Sequence, residues 1–415
     1  MTPEGAFARA MADLIAQSRP AAIGLAVSGG GDSMALMQMA ARAGLGTPLR
    51  VVTVDHGLRD GSADEARQVG REAAGLGLAH ETLRWQGWTG RGNLQNIARH
   101  ARRRLIGDWA RRSGCALILT GHTLDDQAET LLMRLARGSG VDGLGGMAPL
   151  RRERDLFWGR PLLSVRRAAL RHWLRQHGLG WIDDPSNDDA RFDRVRARQL
   201  AGTLADLGLS AERLAGMGEH MRAARRVLDA AAGALAARAV RQAAGDLLID
   251  RAALAGAEAE TRHRLLAAAL GWISGRSYRP RFAALADAAA AAGAGEARSL
   301  HGCLLRPERG TLRITREFRA VRDLPPAPVG QDWDGRWRLT GPDLPGGHVA
   351  ALGPAGLAEC ADWRASGVPR AALLSSPAVW QGDRLIAAPL AGAARGWRAE
   401  LVRGRDDFAG WLISH

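Results

Sequence analysis

The stretch IGLAVSGGGDSMALM at residues 23–37 contains the signal from which the fold is inferred. An apolar run typical of a buried strand ends at Ser28, three glycines follow, and an Asp-Ser pair opens a helix predicted from about Ser33. Glycines in that place let the backbone turn tightly and approach a ligand, while the amide groups of the turn and of the helix N-terminus attract an anion. The pattern therefore predicts a phosphate-binding loop between a strand and a helix.

This loop differs from two common nucleotide-binding loops. A Walker A loop requires GxxxxGK[ST], which is absent from a chain that contains no lysine, and the GxGxxG fingerprint does not fit SGGGDS. An acid inside a phosphate-binding loop indicates a cation, so Asp32 is the candidate ligand for a Mg²⁺ ion that bridges phosphates. The alternative is a glycine-rich turn in which Asp32 only caps the helix.

Strand and helix patterns alternate through the first half of the chain. Further strands are predicted at 49–55, 79–85 and 115–122, with helices between them and another helix after the last strand. This alternation predicts an α/β fold with a doubly wound parallel sheet. Because ligands bind beyond the carboxyl ends of parallel strands, SGGGDS, VDHGLR and TGHTLDD should face one crevice.

The composition of the chain changes after about residue 205. Residues 1–208 are predicted to form the α/β domain, and the Ala- and Arg-rich residues 209–322 a helical domain. A Pro-rich linker, DLPPAPVG at 323–330, separates these from a small α+β domain at 331–415, in which WRLTG and DRLIAAPL suggest strands.

Charge and cysteine content limit the class of protein. Fifty-seven basic side chains, all Arg, stand against 43 acidic ones, so the formal net charge is +14 and a nucleic-acid partner is favoured. A GC-rich genome would produce the same arginine bias without a functional cause. The three cysteines lie far apart, which argues against a local zinc or redox pair, and Cys115 is predicted to lie in the core. With no apolar run long enough for a bilayer, a cytoplasmic protein without membrane association is expected.

Several motifs resemble those of a known family. SGGGDS resembles the SGGxDS motif of the PP-loop ATP pyrophosphatases, which cleave ATP between its α- and β-phosphates. VDHGLR (54–59), GHTLDDQAETLLMRLARGSGVDGLGGM (121–147) and RPLLSVRRAALRHWLRQHGLGWIDDPSND (160–188) follow in the order typical of tRNA(Ile)-lysidine synthetases. The resemblance is strong over about the first 200 residues and weak beyond them, where ALLSSPAVWQGDRLIAAP resembles the family's tail.

The resemblance implies a two-step reaction with ATP and Mg²⁺. ATP adenylates the C2 oxygen of the wobble cytidine in tRNA(Ile) with a CAU anticodon, and the ε-amine of free L-lysine then attacks C2 and expels AMP. Residues from about 211 onward would grip the tRNA. The alternatives are a PP-loop tRNA 2-thiolase, against which the isolated cysteines count, and a non-catalytic nucleotide- and RNA-binding module. The sequence allows a homodimer but does not determine the oligomeric state.

The candidate site residues follow three of the predicted strands. Those implied to bind ATP are Ser28, Gly29, Gly30, Gly31, Asp32, Ser33, Asp55 and His56. A satisfied polar turn is the alternative for Asp55 and His56. Arg59 in the same loop would meet phosphate or only solvate the loop.

A cluster of carboxylates suits the lysine step. His122, Asp126 and Glu129 are spaced i, i+4 and i+7, which predicts one helix face. Asp126 and Glu129 suit a pocket for the lysine ammonium, Asp125 or Asp126 suits the base, and His122 is a candidate to orient the adenylated oxygen. With Asp32, these give the predicted catalytic residues: Asp32, His122, Asp125 and Asp126. The helix macrodipole is the alternative explanation of acids there.

Four arginines are candidates for phosphate or tRNA contacts: Arg99, Arg102, Arg194 and Arg198. The first pair matches an ARxxR element of the family, in which Arg103 replaces the usual Tyr, and a solvated basic helix face is the alternative. The second pair keeps the spacing of an RNxxR-like element, although Val195 replaces its Asn. The DPSN segment at 184–187 is predicted to order the loop over the site or to be only a capped turn.

Overall fold

A computed structural model describes most of the chain. The described residues are 2–57, 61–85, 94–153, 155–183, 193–276, 278–402 and 407–414. Arg59 and the DPSN segment at 184–187 lie outside them. The chain forms two compact units, Met1–Arg225 and Arg226–His415.

The first unit is built from alternating strands and helices. Its strands are β1 (Ile23–Ala26), β2 (Leu49–Asp55), β3 (Ala79–Arg84), β4 (Leu117–Thr120), β5 (Leu150–Glu153) and β6 (Leu156–Gly159). Its helices are α1 (Pro3–Ser18), α2 (Gly31–Arg42), α3 (Ser62–Gly75), α4 (Leu94–Arg112), α5 (Leu124–Leu135), α6 (Val141–Leu144), α7 (Arg167–Gln176) and α8 (Asp193–Asp206), and α9 (Ala211–Ala239) follows them. All four predicted strands are confirmed.

These strands form a single sheet. Among the described residues its order is β3-β2-β1-β4-β6-β5, with β5 antiparallel to β6 and the other pairs parallel. The chain leaves β1 toward β2 on one side and reaches β4 on the other, so the switch point where such sheets bind ligands lies between β1 and β4. The loops after β1, β2 and β4 therefore share one edge of the sheet, as predicted.

Both faces of the sheet are covered, which makes it doubly wound. Leu117 and Leu119 of β4 pack in a cluster with α1, α2 and α7, whereas Ile118 packs in a second cluster with Trp109 of α4. Since successive side chains of a strand point to opposite faces, a strand buried on both faces is apolar throughout. Cys115 is buried in the second cluster, which confirms its predicted place in the core.

Gly121, directly after β4, allows β4 and α2 to approach each other closely. A Cβ atom at this position would lie 2.9 Å from the carbonyl oxygen of Asp32 and 3.0 Å from the amide nitrogen of Ser33. Both atoms belong to the backbone of the first turn of α2, so a side chain would force the two segments apart. The close approach of TGH to SGGGDS therefore depends on this glycine.

The second unit contains mixed helices and strands. Its strands are β7 (Val240–Ala243), β8 (Asp246–Asp250), β9 (Arg298–Leu300), β10 (Cys303–Pro307), β11 (Thr311–Arg316), β12 (Ala327–Pro328), β13 (Asp332–Trp333), β14 (Trp337–Thr340), β15 (Gly347–Ala351), β16 (Pro377–Gln381), β17 (Arg384–Ala387) and β18 (Arg398–Leu401). Its helices are α10 (Arg251–Ala255), α11 (Ala259–Ser274), α12 (Phe282–Gly293), α13 (Gly353–Ala358), α14 (Arg370–Leu374) and α15 (Phe408–Ser414).

The predicted helical region at 209–322 contains long helices but also an antiparallel sheet. In the part of the chain described, its strand order is β7-β8-β11-β10-β9. The region is thus mixed rather than helical as predicted, because its strands are only three to six residues long and lie between Ala-rich helices. The strands predicted from WRLTG and DRLIAAPL are confirmed as β14 and β17. The predicted domain boundaries remain predictions.

A helix that crosses a bilayer needs about 20 predominantly apolar residues. Within the described ranges, no helix combines the length and the apolar character needed to cross a membrane.

Replacing Gly121 by alanine is expected to lower the free energy of unfolding by about 1–3 kcal/mol, the usual cost of overpacking. The added Cβ would push against the backbone of α2. Thermal unfolding measures the effect, with Gly75→Ala as the control because a Cβ there meets nothing within 4 Å. Equal melting temperatures for the two variants would contradict the prediction.

Candidate active site

The loop between β1 and α2 has the backbone expected of an anion-binding turn. Gly29 has a φ of +90°, and Gly30 is the N-cap of α2, so no side chain caps the first amides of the helix. Ser33 Oγ donates to the carbonyl of Gly30 at 2.9 Å and accepts from the amide of Ser28 at 3.1 Å, which holds the loop closed. The helix begins at Gly31, earlier than predicted, and this brings Asp32 into its first turn.

The segment after α7 packs against this loop. The amide of Ile182 donates to the carbonyl of Gly29 at 3.0 Å, and a Cβ on Gly29 would lie 2.7 Å from Ile182 Cδ1. A Cβ on Gly31 would touch the ring of Trp181 at 3.5 Å. The positive φ therefore favours glycine at position 29, and a Cβ there would also displace the end of the Ile182 side chain.

Asp32 has one engaged and one unengaged carboxylate oxygen. Its Oδ2 accepts from Arg167 Nε at 3.0 Å, while Oδ1 is buried and has no hydrogen-bond partner among the described residues. Burial raises the pKa of Asp32, and the attraction of Arg167 only partly opposes this effect. Because Gly30 is the N-cap, Asp32 does not cap the helix, and that alternative interpretation is wrong.

The residues around Asp32 fit a Mg²⁺ ion that is shared with phosphates. A buried carboxylate oxygen without a partner needs a cation or a donor, and Mg²⁺ is usually held by one or two carboxylates, water and substrate phosphates. The described residues contain no group of three or more His, Cys, Asp or Glu side chains that could hold a metal by themselves. The chain therefore fits a metal held jointly with the nucleotide.

His122 precedes helix α5 and does not lie on it. Thr123 is the N-cap, and its amide donates to Asp126 Oδ2 at 2.7 Å while the amide of Asp126 bonds back to Thr123 Oγ1 at 3.4 Å. This capping box begins the helix after His122, so the predicted shared helix face with Asp126 and Glu129 is wrong for the histidine. Burial lowers the pKa of His122 to about 3, so its imidazole is neutral near pH 7.

Arg167, at the start of α7, joins three carboxylates with one guanidinium group. Its Nε donates to Asp32 at 3.0 Å, its Nη1 to Glu129 at 3.1 Å and its Nη2 to Asp126 at 2.6 Å. The side chain is only 17% exposed, and Glu129 is 2% exposed. Arg167 therefore connects the phosphate-binding loop to the acid cluster.

Arg194 and Arg198 also contact the acid cluster. Arg194 donates from Nε to Glu129 and from Nη2 to Asp126, both at 2.8 Å, and Arg198 Nε donates to Glu129 at 2.9 Å. Val195, between them on α8, is buried. Both arginines thus bind carboxylates in this structure. The sequence had suggested only phosphate or tRNA as their partners.

Asp125 lies beside the start of α7. Its Oδ2 accepts from the amide of Arg167 at 2.7 Å and its Oδ1 from Arg166 Nε at 3.1 Å. Asp125 thus positions Arg167, which in turn binds the other three carboxylates. The sequence indicated no role for Arg166 or Arg167, although three carboxylates in a buried site require cations nearby.

The segment after β2 places His56 against α4. Arg102 Nε and Nη2 lie 3.1 and 2.7 Å from His56 Nε2, and burial with the Arg102 charge lowers the pKa of His56 to about 4. Asp55 Oδ1 accepts from Ser62 Oγ at 2.7 Å, and this bond holds the pKa of Asp55 low. Asp55 therefore shapes the turn that presents His56.

The other arginines of α4 differ in their surroundings. Arg99 lies close enough to Arg194 for the two charges to oppose each other, and burial lowers the pKa of Arg99. Arg103, in the place of the family's Tyr, donates to Glu153 at 2.6 Å and lies 4.5 Å from the ring centroid of Trp158. Arg103 thus has a packing role, while Arg99 lies beside the acid cluster.

Comparisons with known proteins identify the family of the chain. Residues 3–203 match the PP-loop domain family. The tRNA(Ile)-lysidine synthase of Ruegeria pomeroyi is 49% identical to the chain over 398 residues, which cover 95% of each protein. The chain belongs to the tRNA(Ile)-lysidine synthase family. The predicted resemblance is confirmed, and the predicted PP-loop α/β fold with it.

Other members of the tRNA(Ile)-lysidine synthase family are also similar. The protein of Methylobacterium nodulans is 46% identical over 251 residues, 60% of this chain and 74% of its own. That of Mesorhizobium japonicum is 37% identical over 385 residues, 88% of this chain and 83% of its own. Among solved structures, a tRNA thiolase from Methanococcus maripaludis is 15% identical, with a TM-score of 0.45 over 52% of this chain and 78% of its own.

Replacing Arg167 by glutamine is expected to lower the free energy of unfolding by about 3–5 kcal/mol, since buried carboxylates would lose their counter-charge. Arg167→Lys should recover only part of this loss, because an ammonium cannot span three carboxylates. Urea unfolding measures the effect. The control is Arg67→Gln, an exposed arginine paired with Asp64, for which a loss below about 1 kcal/mol is expected. Similar losses in both glutamine variants would contradict the assignment.

His56 should make the protein less stable in acid. Its pKa of about 4 in the folded chain lies below that of an unfolded histidine, so the unfolded state binds more protons between about pH 4 and 6.5. Stability contributed by neutral His56 is complete above this window and is lost as the pH falls through it. Melting temperatures from pH 7 to 5 should fall less steeply in His56→Asn than in the exposed control His220→Asn. Parallel profiles would refute this.

Proposed function

We propose that this chain uses ATP to join L-lysine to C2 of the wobble cytidine of tRNA(Ile) with a CAU anticodon, releasing AMP and pyrophosphate. The observation that carries the proposal is the connection of Asp32, beside the glycine loop, to Asp126 and Glu129 through the guanidinium of Arg167. A site for an activated nucleotide and a site for a cationic amine are thereby held together. Membership in the tRNA(Ile)-lysidine synthase family supports the same reaction.

The first step would take place at the glycine loop. The amides of the loop and of the α2 N-terminus would bind the phosphates of ATP, and Asp32 would hold Mg²⁺, whose charge neutralises phosphate oxygens. The C2 oxygen of cytidine attacks the α-phosphorus, and pyrophosphate leaves. His122 Nδ1 lies 2.8 Å from Thr120 Oγ1. In the tautomer whose proton is on Nε2, neutral His122 can donate one hydrogen bond to the adenylated oxygen. The buried Nδ1 of His56 has no partner among the described residues and suits a contact with the nucleotide.

The second step would use the acid cluster. Asp126 and Glu129 would bind lysine, whose ε-amine attacks C2 after losing a proton, so that AMP leaves. Arg194 and Arg167 hold the pKa of Asp126 below its usual range despite its burial. A lowered pKa suits a partner for an ammonium better than a base. Asp125 and Asp126 both remain candidates for the base.

The cysteines disfavour the thiolase alternative. Thiolation chemistry requires a reactive thiolate in an accessible place. Cys115, Cys303 and Cys360 are all buried, and burial raises the pKa of Cys303 to about 12. A non-catalytic binding module would not need the hydrogen bond by which Arg167 joins Asp32 to the acid cluster. Neither alternative accounts for an acid cluster beside a nucleotide loop.

The second half of the chain is proposed to bind tRNA. Residues from about 211 onward would bind the rest of the tRNA, since the family and the net charge of +14 favour it. Contacts between arginines and phosphates would make the affinity fall steeply with salt. A cytoplasmic location and a homodimer remain predictions.

Incubation with ATP, Mg²⁺, radiolabelled lysine and the CAU-anticodon tRNA(Ile) tests the function. The expected result is label in the RNA together with AMP. A product that appears only with a sulfur donor would indicate a thiolase. AMP absent under every condition would indicate a binding module.

Two substitutions are expected to separate the steps. Asp32→Asn should abolish adenylation of the tRNA, because the phosphate loop loses its only acid, whereas Glu129→Gln should reduce lysine transfer more than adenylation. Pyrophosphate release without lysine and label transfer with it measure the two steps. Glu212→Gln, which removes an exposed carboxylate paired with Arg166, is the control and should retain both. Equal loss of both steps in Glu129→Gln would remove Glu129 from the lysine pocket.

A further inference from the structure

The hydrogen-bonding capacity of Asp126 is fully used in this structure. Its Oδ1 accepts from Arg167 Nη2 and Arg194 Nη2, at 2.6 and 2.8 Å, and its Oδ2 from the amide and hydroxyl of Thr123, at 2.7 and 3.0 Å. An ionised carboxylate offers about four lone-pair sites. An ammonium group with three donors can bind Asp126 only when one of these donors leaves.

The charges of the cluster are also balanced. Glu129 accepts from Arg167, Arg194 and Arg198. Taken together, the three carboxylates of Asp32 in the loop and of Asp126 and Glu129 in the cluster thus accept hydrogen bonds from three guanidinium groups of the described residues, those of Arg167, Arg194 and Arg198. A further cation would enter a buried site that already has its counter-charges, which is unfavourable unless one of them is withdrawn.

Arg194 is the donor that can be exchanged. The Thr123 bonds belong to the capping box that begins α5, and Arg167 is 17% exposed and bound to three acids. Arg194 is 38% exposed and bridges the two acids assigned to lysine, Asp126 and Glu129. Its guanidinium therefore lies where a substrate ammonium would have to bind.

Repulsion between Arg194 and Arg99 favours the binding of an anion by Arg194. Arg99 lies close enough to Arg194 for the charges of the two arginines to oppose each other. Two neighbouring guanidinium groups favour a phosphate between them, and arginine binds phosphate with two parallel hydrogen bonds. A nucleotide phosphate beside Arg99 would thus draw Arg194 from the acids.

We propose that Arg194 occupies the lysine pocket of the nucleotide-free protein and that nucleotide phosphate withdraws it, so that lysine binds only after ATP. This inference rests on the proposed function and adds an order of binding to it. Arg194 acts as an exchangeable counter-ion of Asp126 and Glu129, and Arg167 stays in place. Lysine should consequently tighten nucleotide binding by the factor by which nucleotide tightens lysine binding.

Calorimetric titration of L-lysine into the full chain tests the order, with and without Mg²⁺ and α,β-methylene-ATP, which cannot be cleaved between its α- and β-phosphates. In the wild-type protein the nucleotide should strengthen lysine binding about tenfold or more, within the usual range of coupling between sites. In Arg194→Gln, lysine should bind without nucleotide at least about tenfold more tightly than in the wild type, and the nucleotide should add little.

Arg196→Gln is the matched control, since Arg196 lies on the same helix, is 65% exposed and pairs with Asp193 instead of the cluster. It should keep the wild-type coupling. Equal lysine affinity in the wild type with and without nucleotide would overturn the inference. So would an Arg194→Gln protein with wild-type melting temperature that binds lysine no better than the wild type. If lysine label still enters the tRNA with the wild-type protein, only the order of binding fails; if no label enters the tRNA with the wild-type protein, the proposed function fails.

Discussion

The candidate site depends on one guanidinium group, that of Arg167. Its three donor nitrogens each reach a different carboxylate, on Asp32 in the first turn of α2 and on Asp126 and Glu129 in α5. The fork of an arginine is planar and fixed, so the three acids are held in a defined arrangement and not merely neutralised. Asp125 adds a second constraint, because its bond to the Arg167 amide fixes the start of α7. The phosphate-binding loop and the acid cluster are positioned as one unit through this contact.

The parallel sheet makes this contact feasible. β1 and β4 are neighbours at the switch point, so the chain segments that follow them emerge side by side. Gly121 then allows the backbone after β4 to lie against the first turn of α2. The residues that would bind a nucleotide and those that would bind an amine are therefore close because of strand order. The side chain of Arg167 then joins the two groups by hydrogen bonds to their carboxylates.

Local signals in the sequence predicted most of the first unit, and long-range contacts account for most of what they missed. The strand at 49–55 and the loop after Val27 could be read from apolar runs and glycines, because each depends on neighbours in the chain. The error at His122 was also local, since Thr123 and Asp126 form a capping box that excludes it from the helix. Arg167 lies 135 residues from Asp32, and no periodicity connects the two. The hairpin of β5 and β6 and the five-stranded sheet of β7 to β11 were missed because their strands are only three to six residues long and several of them carry arginine.

The absence of lysine from the chain has a chemical consequence for the proposed reaction. An adenylated cytidine is open to attack by any nearby free amine, and a lysine side chain in the pocket would compete with the substrate. Arginine stays protonated at all physiological pH values and offers no nucleophilic nitrogen, yet it balances buried carboxylates. Arg167, Arg194 and Arg198 can therefore line the acid cluster without competing for C2. Because the chain itself has no lysine, the amine of the substrate is the nucleophile that Asp126 and Glu129 would bind, whatever the origin of the arginine bias.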